Sequence, residues 1–260
     1  TSRDYVILLC LKSCKLLLYK YKSFDAKNYW KDILLEKRLY MARPSEFNDP
    51  FEGQLFPFET GSCGNTINLN AGKANKDVKQ FLNDYRVVCL SSNIRNKAMW
   101  AYYADSYQGF AIRFKTFKFG LYDDEQNNFS SAKRVIYKSD NEIILCQRIK
   151  GRHEARLAQR KSLLYKSADW KQEEEFRIIR YNKSGKNKYL HFDYSDIECI
   201  ILGARIDEQN EHAITTICQD HDIKIRHMWL ATIDSQIEFY TDKPPRFDGS
   251  NYRKYIDLDI

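Results

Sequence analysis

Two stretches of this sequence carry residue types that could do chemistry. One is Trp170-Lys171-Gln172-Glu173-Glu174-Glu175-Phe176-Arg177; the other, far upstream, is Phe47-Asn48-Asp49-Pro50-Phe51-Glu52-Gly53. Side chains alternate along a strand, so if residues 173 to 179 are extended, Glu173, Glu175 and Arg177 share one face, and Glu174, Phe176 and Ile178 the other. Carboxylates at i and i+2 then stand roughly 7 Å apart, with a guanidinium beyond them. Three kinds of chemistry fit. A fixed carboxylate stabilises positive charge that grows in a transition state, most strongly where water is excluded. Joined by Asp49 and Glu52, the two carboxylates would supply oxygen donors for a Mg²⁺-dependent nuclease. Alternatively, Arg177 and the carboxylates tie the strand to the upstream loop as an ion network, worth about 1 kcal/mol or less per pair at a surface.

These residues need elements to position them. The loop from Phe47 follows Arg38-Leu39-Tyr40-Met41-Ala42, which reads as a strand broken by Pro44, and Asp49 is biased away from helical backbone because Pro50 follows it. Phe47 and Phe51 would pin the loop to the core while Asn48, Asp49 and Glu52 stay polar. Glu175 to Tyr181 reads as a strand forming a hairpin with Tyr189 to Phe192 across residues 182–188. Further strands are expected at 16–21, 86–92, 109–114, 134–137, 198–203 and 223–228. Helices are expected after an Asp25 N-cap, with Tyr29, Ile33 and Leu34 on one face, and at 77–85, 97–105 and 208–218, with one or two more within 142–166. Trp100 and Tyr103 stand three apart on one helix face, placed either as core anchors or to line a cleft. The pattern predicts an α+β fold: a single domain over residues 16–241 with a mixed, largely antiparallel sheet and flanking helices. Residues 1–15 read as an N-terminal extension, residues 61–76 as a Gly- and Asn-rich loop, and residues 242–260, with Pro244 and Pro245, as a tail.

Composition narrows the function classes. Hydrophobic residues at 43% and aromatics at 14% of 260 residues suffice for a packed core, and no linker divides the chain. The net charge of +7 is dispersed, which permits contact with nucleic acid without demanding it. Seven cysteines, several in apolar runs such as Val87-Val88-Cys89-Leu90, read as reduced thiols of a cytoplasmic protein, and no zinc-ligand spacing accompanies them. Tyr5 to Leu11 is apolar but shorter than a secretory signal, and nothing approaches a membrane span. Five histidines lie near no nucleophile at a recognisable spacing, and no Gly-rich phosphate loop is present, against a Ser-His hydrolase, a Rossmann oxidoreductase or an NTPase.

Several short runs, in order, resemble the bacterial domain-of-unknown-function family 2971 (DUF2971). They are Leu18-Tyr19-Lys20-Tyr21, Leu39 to Pro44 leading into Phe47 to Glu52, Val88 to Ser91, Met99-Trp100 with Tyr103-Ala104-Asp105, Gly109-Phe110, Trp170 with Glu173, Glu175 and Arg177, and Ile201-Leu202-Gly203. The resemblance spans roughly residues 16 to 205 and implies a fold more than an activity. More loosely, an aromatic-basic first strand, a second strand with an aromatic, and a late strand entered through Glu-x-Glu are similar to ADP-ribosyltransferases that modify nucleic acid. That resemblance implies Glu175 as the catalytic carboxylate, Glu173 as its assistant or acceptor contact, and Tyr19, Lys20, Tyr21 and Tyr40 around NAD as substrate. Lys20 stands where such enzymes carry His. The cleft would include Asn48, Asp49, Glu52, Trp100, Tyr103 and Arg177, with no metal required and a nucleic acid or protein as acceptor. A role in phage defence or as a toxin would suit such a family. The alternatives are a non-catalytic module that binds nucleotide or nucleic acid, and the Mg²⁺-dependent nuclease.

Overall fold

Apolar side chains on both faces make β1 (Leu17–Lys22) an interior strand: Leu18, Tyr19 and Tyr21 are all buried. The computed structural model describes residues 17–25, 29–49, 52, 58–59, 82–115, 132–138, 147–148, 160–182, 185–230 and 236–241. After β1 come α1 (Tyr29–Leu35), β2 (Arg38–Tyr40), a 3-10 turn (Pro44–Glu46), β3 (Phe58–Glu59), β4 (Tyr85–Ser91), α2 (Lys97–Tyr103) and β5 (Phe110–Lys115). The short strands β6 (Lys133–Arg134), β7 (Ile136–Lys138), β8 (Gln147–Arg148) and β9 (Tyr165–Ser167) lead to a 3-10 helix (Ala168–Glu173). The chain continues through β10 (Glu175–Tyr181), β11 (Tyr189–His191), β12 (Ile197–Leu202), α3 (Glu208–Asp220), β13 (Lys224–Leu230) and β14 (Ile237–Tyr240). Helix starts are capped as their sequences demand. Asp25 accepts from the Tyr29 amide, Asn96 from Ala98 and Met99, and Asp207 from Asn210.

The fold is α+β with a mixed, largely antiparallel sheet, as the sequence predicts. Two compact units account for the chain: residues 1–30, 91–121 and 193–260 form one, and residues 31–90 and 122–192 the other. The first unit holds strands in the order β14-β13-β12-β5-β1. Only β12 and β13 run parallel, and α3 supplies the crossover that a parallel pair requires. Its core packs Tyr19, Tyr21, Trp100, Ala111, Ile201 and Phe239.

In the second unit β4, β10 and β6 are successive neighbours, with β10 antiparallel to β6. Leu82, Tyr85, Val87, Leu163 and Ile179 form its core, with Phe47 and Cys89 against them. Two further pairs matter for the site. The parallel pair β7–β9 sets Tyr137 beside Lys166, and the antiparallel ribbon β2–β11 sets Tyr40 opposite Tyr189.

Three expectations need correction. Tyr189 to His191 forms a strand, but it pairs with β2 and makes no hairpin with β10. Within 142–166, where one or two helices were expected, residues 160–162 are helical but Gln147–Arg148 is a strand and another, Tyr165–Ser167, begins before the segment ends. The strand expected at 134–137 is split at Val135 into β6 and β7. Residues 1–15, 61–76 and 242–260 lie outside the described residues, as does most of the helix expected at 77–85. Among the described residues, Cys89, Cys199 and Cys218 are in no disulfide. Among the described residues no helix is long and apolar enough to cross a membrane.

Candidate functional site

A left-handed residue sets the site up. Ser167 caps the 3-10 helix at the Asp169 amide, and the helix closes at Glu174, whose φ of 45° and ψ of 49° reverse the chain before β10 begins. Glu173 therefore ends a helix and Glu175 begins a strand, so the two do not alternate along one strand as an extended 173–179 would place them. Both carboxylates are buried all the same, and Glu174 is only half-buried.

Their burial is possible because two cations meet them. Arg177 Nε donates to Glu175 Oε1 at 2.7 Å and Nη2 to Glu175 Oε2 at 2.8 Å, a two-pronged grip that matches the planar guanidinium to the carboxylate. The same Nη2 donates to Glu52 Oε2 at 2.7 Å, and Nη1 to the Leu163 carbonyl at 2.7 Å. Lys166 Nζ contacts Glu52 Oε1 at 2.7 Å, Glu173 Oε2 at 2.5 Å and Glu175 Oε2 at 3.4 Å. Aromatic faces close the group: Phe47 lies 5.1 Å from the Arg177 guanidinium carbon and Trp170 lies 5.0 Å from Lys166 Nζ. The Tyr137 hydroxyl accepts from the Glu175 amide at 2.8 Å. None of the five charged side chains is more than 6% exposed.

Three carboxylates thus share two cations in a dry interior, and the imbalance decides their protonation. Burial pushes the Glu175 carboxyl up, but Arg177, with Lys166 and the Cys89 thiol behind it, more than offsets this and holds it at about 2. Glu52 shifts the other way, because burial outweighs the pull of Arg177 and Glu175 repels it. Burial alone would lower Lys166, yet Glu175, Glu52 and Glu173 carry it above the ordinary lysine range. Lys166 also stands where a bound cation would: its ammonium occupies the point on which the three carboxylates converge. Among the described residues no group of three His, Cys, Asp or Glu could hold a metal ion.

The structure brings together Glu52, Glu173, Glu175 and Arg177, which lie up to 125 positions apart in sequence. Asp49 is buried nearby, and its carbonyl accepts from the Glu52 amide at 3.2 Å; Asn48 is exposed. Tyr19, Tyr21 and Trp100 belong to the core of the first unit, with Tyr103 packed against it. Tyr21 donates its hydroxyl to the Asn93 carbonyl at 2.6 Å and meets Trp100 edge to face at 5.1 Å, while Trp100 Nε1 donates to the Ile94 carbonyl at 2.7 Å. Burial raises the Tyr19 hydroxyl to about 12. Lys20 is half-buried, and Tyr40 is exposed with its hydroxyl on Glu46.

Lys166 is the member that sequence reasoning missed, because a helix was expected there. A signal existed. Leu163-Leu164-Tyr165-Lys166 repeats Leu17-Leu18-Tyr19-Lys20 residue for residue, and the first copy reads readily as a strand.

No curated protein and no solved structure matches the chain. Residues 99–178, a stretch narrower than the span of the motifs but one that contains Lys166, Glu173, Glu175 and Arg177, match the family described as "Protein of unknown function (DUF2971)".

Proposed function

We propose that the protein is an ADP-ribosyltransferase-like enzyme that consumes NAD, with Glu175 as its catalytic carboxylate. The observation that carries the reading is the state of Glu175: buried, fixed by two prongs of Arg177 and held ionised at about 2. In such a reaction the bond from the anomeric carbon to nicotinamide breaks with its electron pair on nicotinamide. The acceptor's lone pair then bonds to that carbon, and the acceptor's proton goes to Glu173. Positive charge grows on the ribose meanwhile, and a preorganised anion in a water-poor site stabilises it far more than one in solvent does. The longest link in the cluster, 3.4 Å from Glu175 to Lys166, is the one a ribose hydroxyl would replace.

The test is release of nicotinamide from labelled NAD, with DNA, RNA and protein extract offered as acceptors. Glu175→Gln should lower release at least ~100-fold, the scale on which single electrostatic stabilisers act. Because that variant leaves Arg177 half-paired, the assay runs at a temperature at which circular dichroism shows it folded. No release by the wild type with any acceptor, or equal release by both proteins, would sink the reading.

A further inference from the structure

The ribbon β2–β11 presents two unlike faces. Leu39 and Leu190, opposite each other, are buried at 1% and 2% exposure, so the alternate positions Arg38, Tyr40, Tyr189 and His191 lie on the outer face. Tyr40 is 46% exposed, and its ring meets Tyr189 edge to face at 5.9 Å. Arg38 lies over the Tyr189 ring at 4.3 Å while Nη2 reaches Asp32 at 3.1 Å. Backbone bonds from Met41 to Lys188 and from Phe192 to Lys37 extend the ladder at both ends.

Charge on this ribbon is one-sided. Residues 37–43 and 186–192 contribute Lys37, Arg38, Arg43, Lys186 and Lys188 and contain no Asp or Glu. The nearest acids are Asp32, held by Arg38, Glu46, which accepts from the Tyr40 hydroxyl, and the exposed Glu36 and Asp193 at the end of the ribbon where Phe192 bonds Lys37, away from Arg43, Lys186 and Lys188. Arg43, Lys186, Lys188 and His191 are exposed. An exposed aromatic ring on a flat face, with Arg43, Lys186 and Lys188 beside it, is what a strand of unpaired nucleotides requires. Bases stack on aromatics whatever their identity, and phosphates take the cations.

We propose that the outer face of β2–β11 binds single-stranded nucleic acid, with a base stacked on Tyr40 and the backbone following Arg43, Lys186 and Lys188. Tyr40, which the transferase resemblance would give to NAD, serves the polynucleotide instead. The inference does not rest on the transferase reading, since binding is measured without NAD.

Fluorescence anisotropy with labelled oligonucleotides of about 16 nucleotides tests it. Single-stranded DNA and RNA arms identify the natural strand, and a duplex arm serves as competitor. The expected result is single-strand binding that weakens steeply between low and physiological salt. Tyr40→Ala should weaken it roughly 5- to 100-fold and Tyr40→Phe should not, because stacking needs the ring and not the hydroxyl. Lys186→Ala with Lys188→Ala should flatten the salt dependence, each lost phosphate contact reducing the slope by about 1. Lys186 and Lys188 are exposed, so that double variant should melt with the wild type; Tyr40→Ala loses the contact with Tyr189 and the bond to Glu46, so its affinity is read at a temperature at which circular dichroism shows it folded. Absence of single-strand binding at low salt, equal affinity for duplex, or an unchanged affinity in folded Tyr40→Ala would overturn the proposal.

Discussion

Arg177 is the residue on which the second unit's charged interior depends. It neutralises Glu175 and Glu52 together, reaches the Leu163 carbonyl and rests on Phe47, at 1% side-chain exposure. Removing one partner of a buried pair strands the other charge, at a typical cost of ~3–5 kcal/mol. Arg177→Ala should therefore lower stability by that amount, read from the urea midpoint. Arg177→Lys should fall between, since it keeps the charge but loses the fork. A loss below ~1 kcal/mol in Arg177→Ala would mean the network behaves like a surface ion pair. It also follows that no carboxylate in the cluster can be altered without a stability cost, which is why activity in Glu175→Gln has meaning only alongside a folding measurement.

At the scale of elements, the turn that joins α2 to β5 stores strain in the first unit. Asp105, Ser106 and Tyr107 all have left-handed φ, at 47°, 52° and 72°. Backbone bonds from Ser106 to Ala101, Tyr107 to Trp100 and Arg205 to Tyr107 hold the turn there. Each such non-glycine residue costs ~1–2 kcal/mol, and a glycine returns part of that through its freer unfolded chain. Ser106→Gly, at an exposed side chain, should thus raise stability by roughly 0.5–1 kcal/mol, measured by thermal melting. Gly203 under the same turn should show the opposite sign, since a Cβ there would stand 2.2 Å from the Tyr107 carbonyl oxygen. Elements of this kind mark the limit of what the sequence made legible. The bounds of β10, Glu175 to Tyr181, follow from local pattern and are found as expected. Its partner does not follow, because Asn182 turns the chain away through bonds to Asp84 and Asn187 that no local pattern encodes. Glu175, Glu173, Arg177 and Glu52 were legible as a charged group by residue type alone. Lys166 was not, since it is one of several basic residues in a segment read as helical, and the Leu163-Leu164-Tyr165-Lys166 run that marks it as strand is short.

For the molecule as a whole, acid stability combines a global charge with one local imbalance. The chain carries 42 Lys and Arg against 35 Asp and Glu, so each proton gained below neutrality adds to an existing excess of +7 and to self-repulsion. Within the buried cluster two carboxylates pull in opposite directions. Glu175, lowered from an ordinary 4.5 to about 2, contributes stability that is complete above 4.5 and is lost as pH falls toward 2. That displacement corresponds to ~3 kcal/mol, undiscounted because the group is buried. Glu52, raised above 4.5, works the other way: the folded state takes its proton before the unfolded chain does, so stability rises as pH falls through the raised value to 4.5. Urea unfolding from pH 7 to 3 should therefore show a rise or plateau for the wild type, then a steep fall below 4.5. Glu52→Gln, neutral at every pH, should remove the rise and keep the fall, and in the difference between the two curves the global charge term cancels. Superimposable curves would mean that Glu52 does not carry the cluster's excess charge, and a wild type that keeps its full stability from pH 4.5 down to 3 would mean that Arg177 and Lys166 do not hold Glu175 ionised.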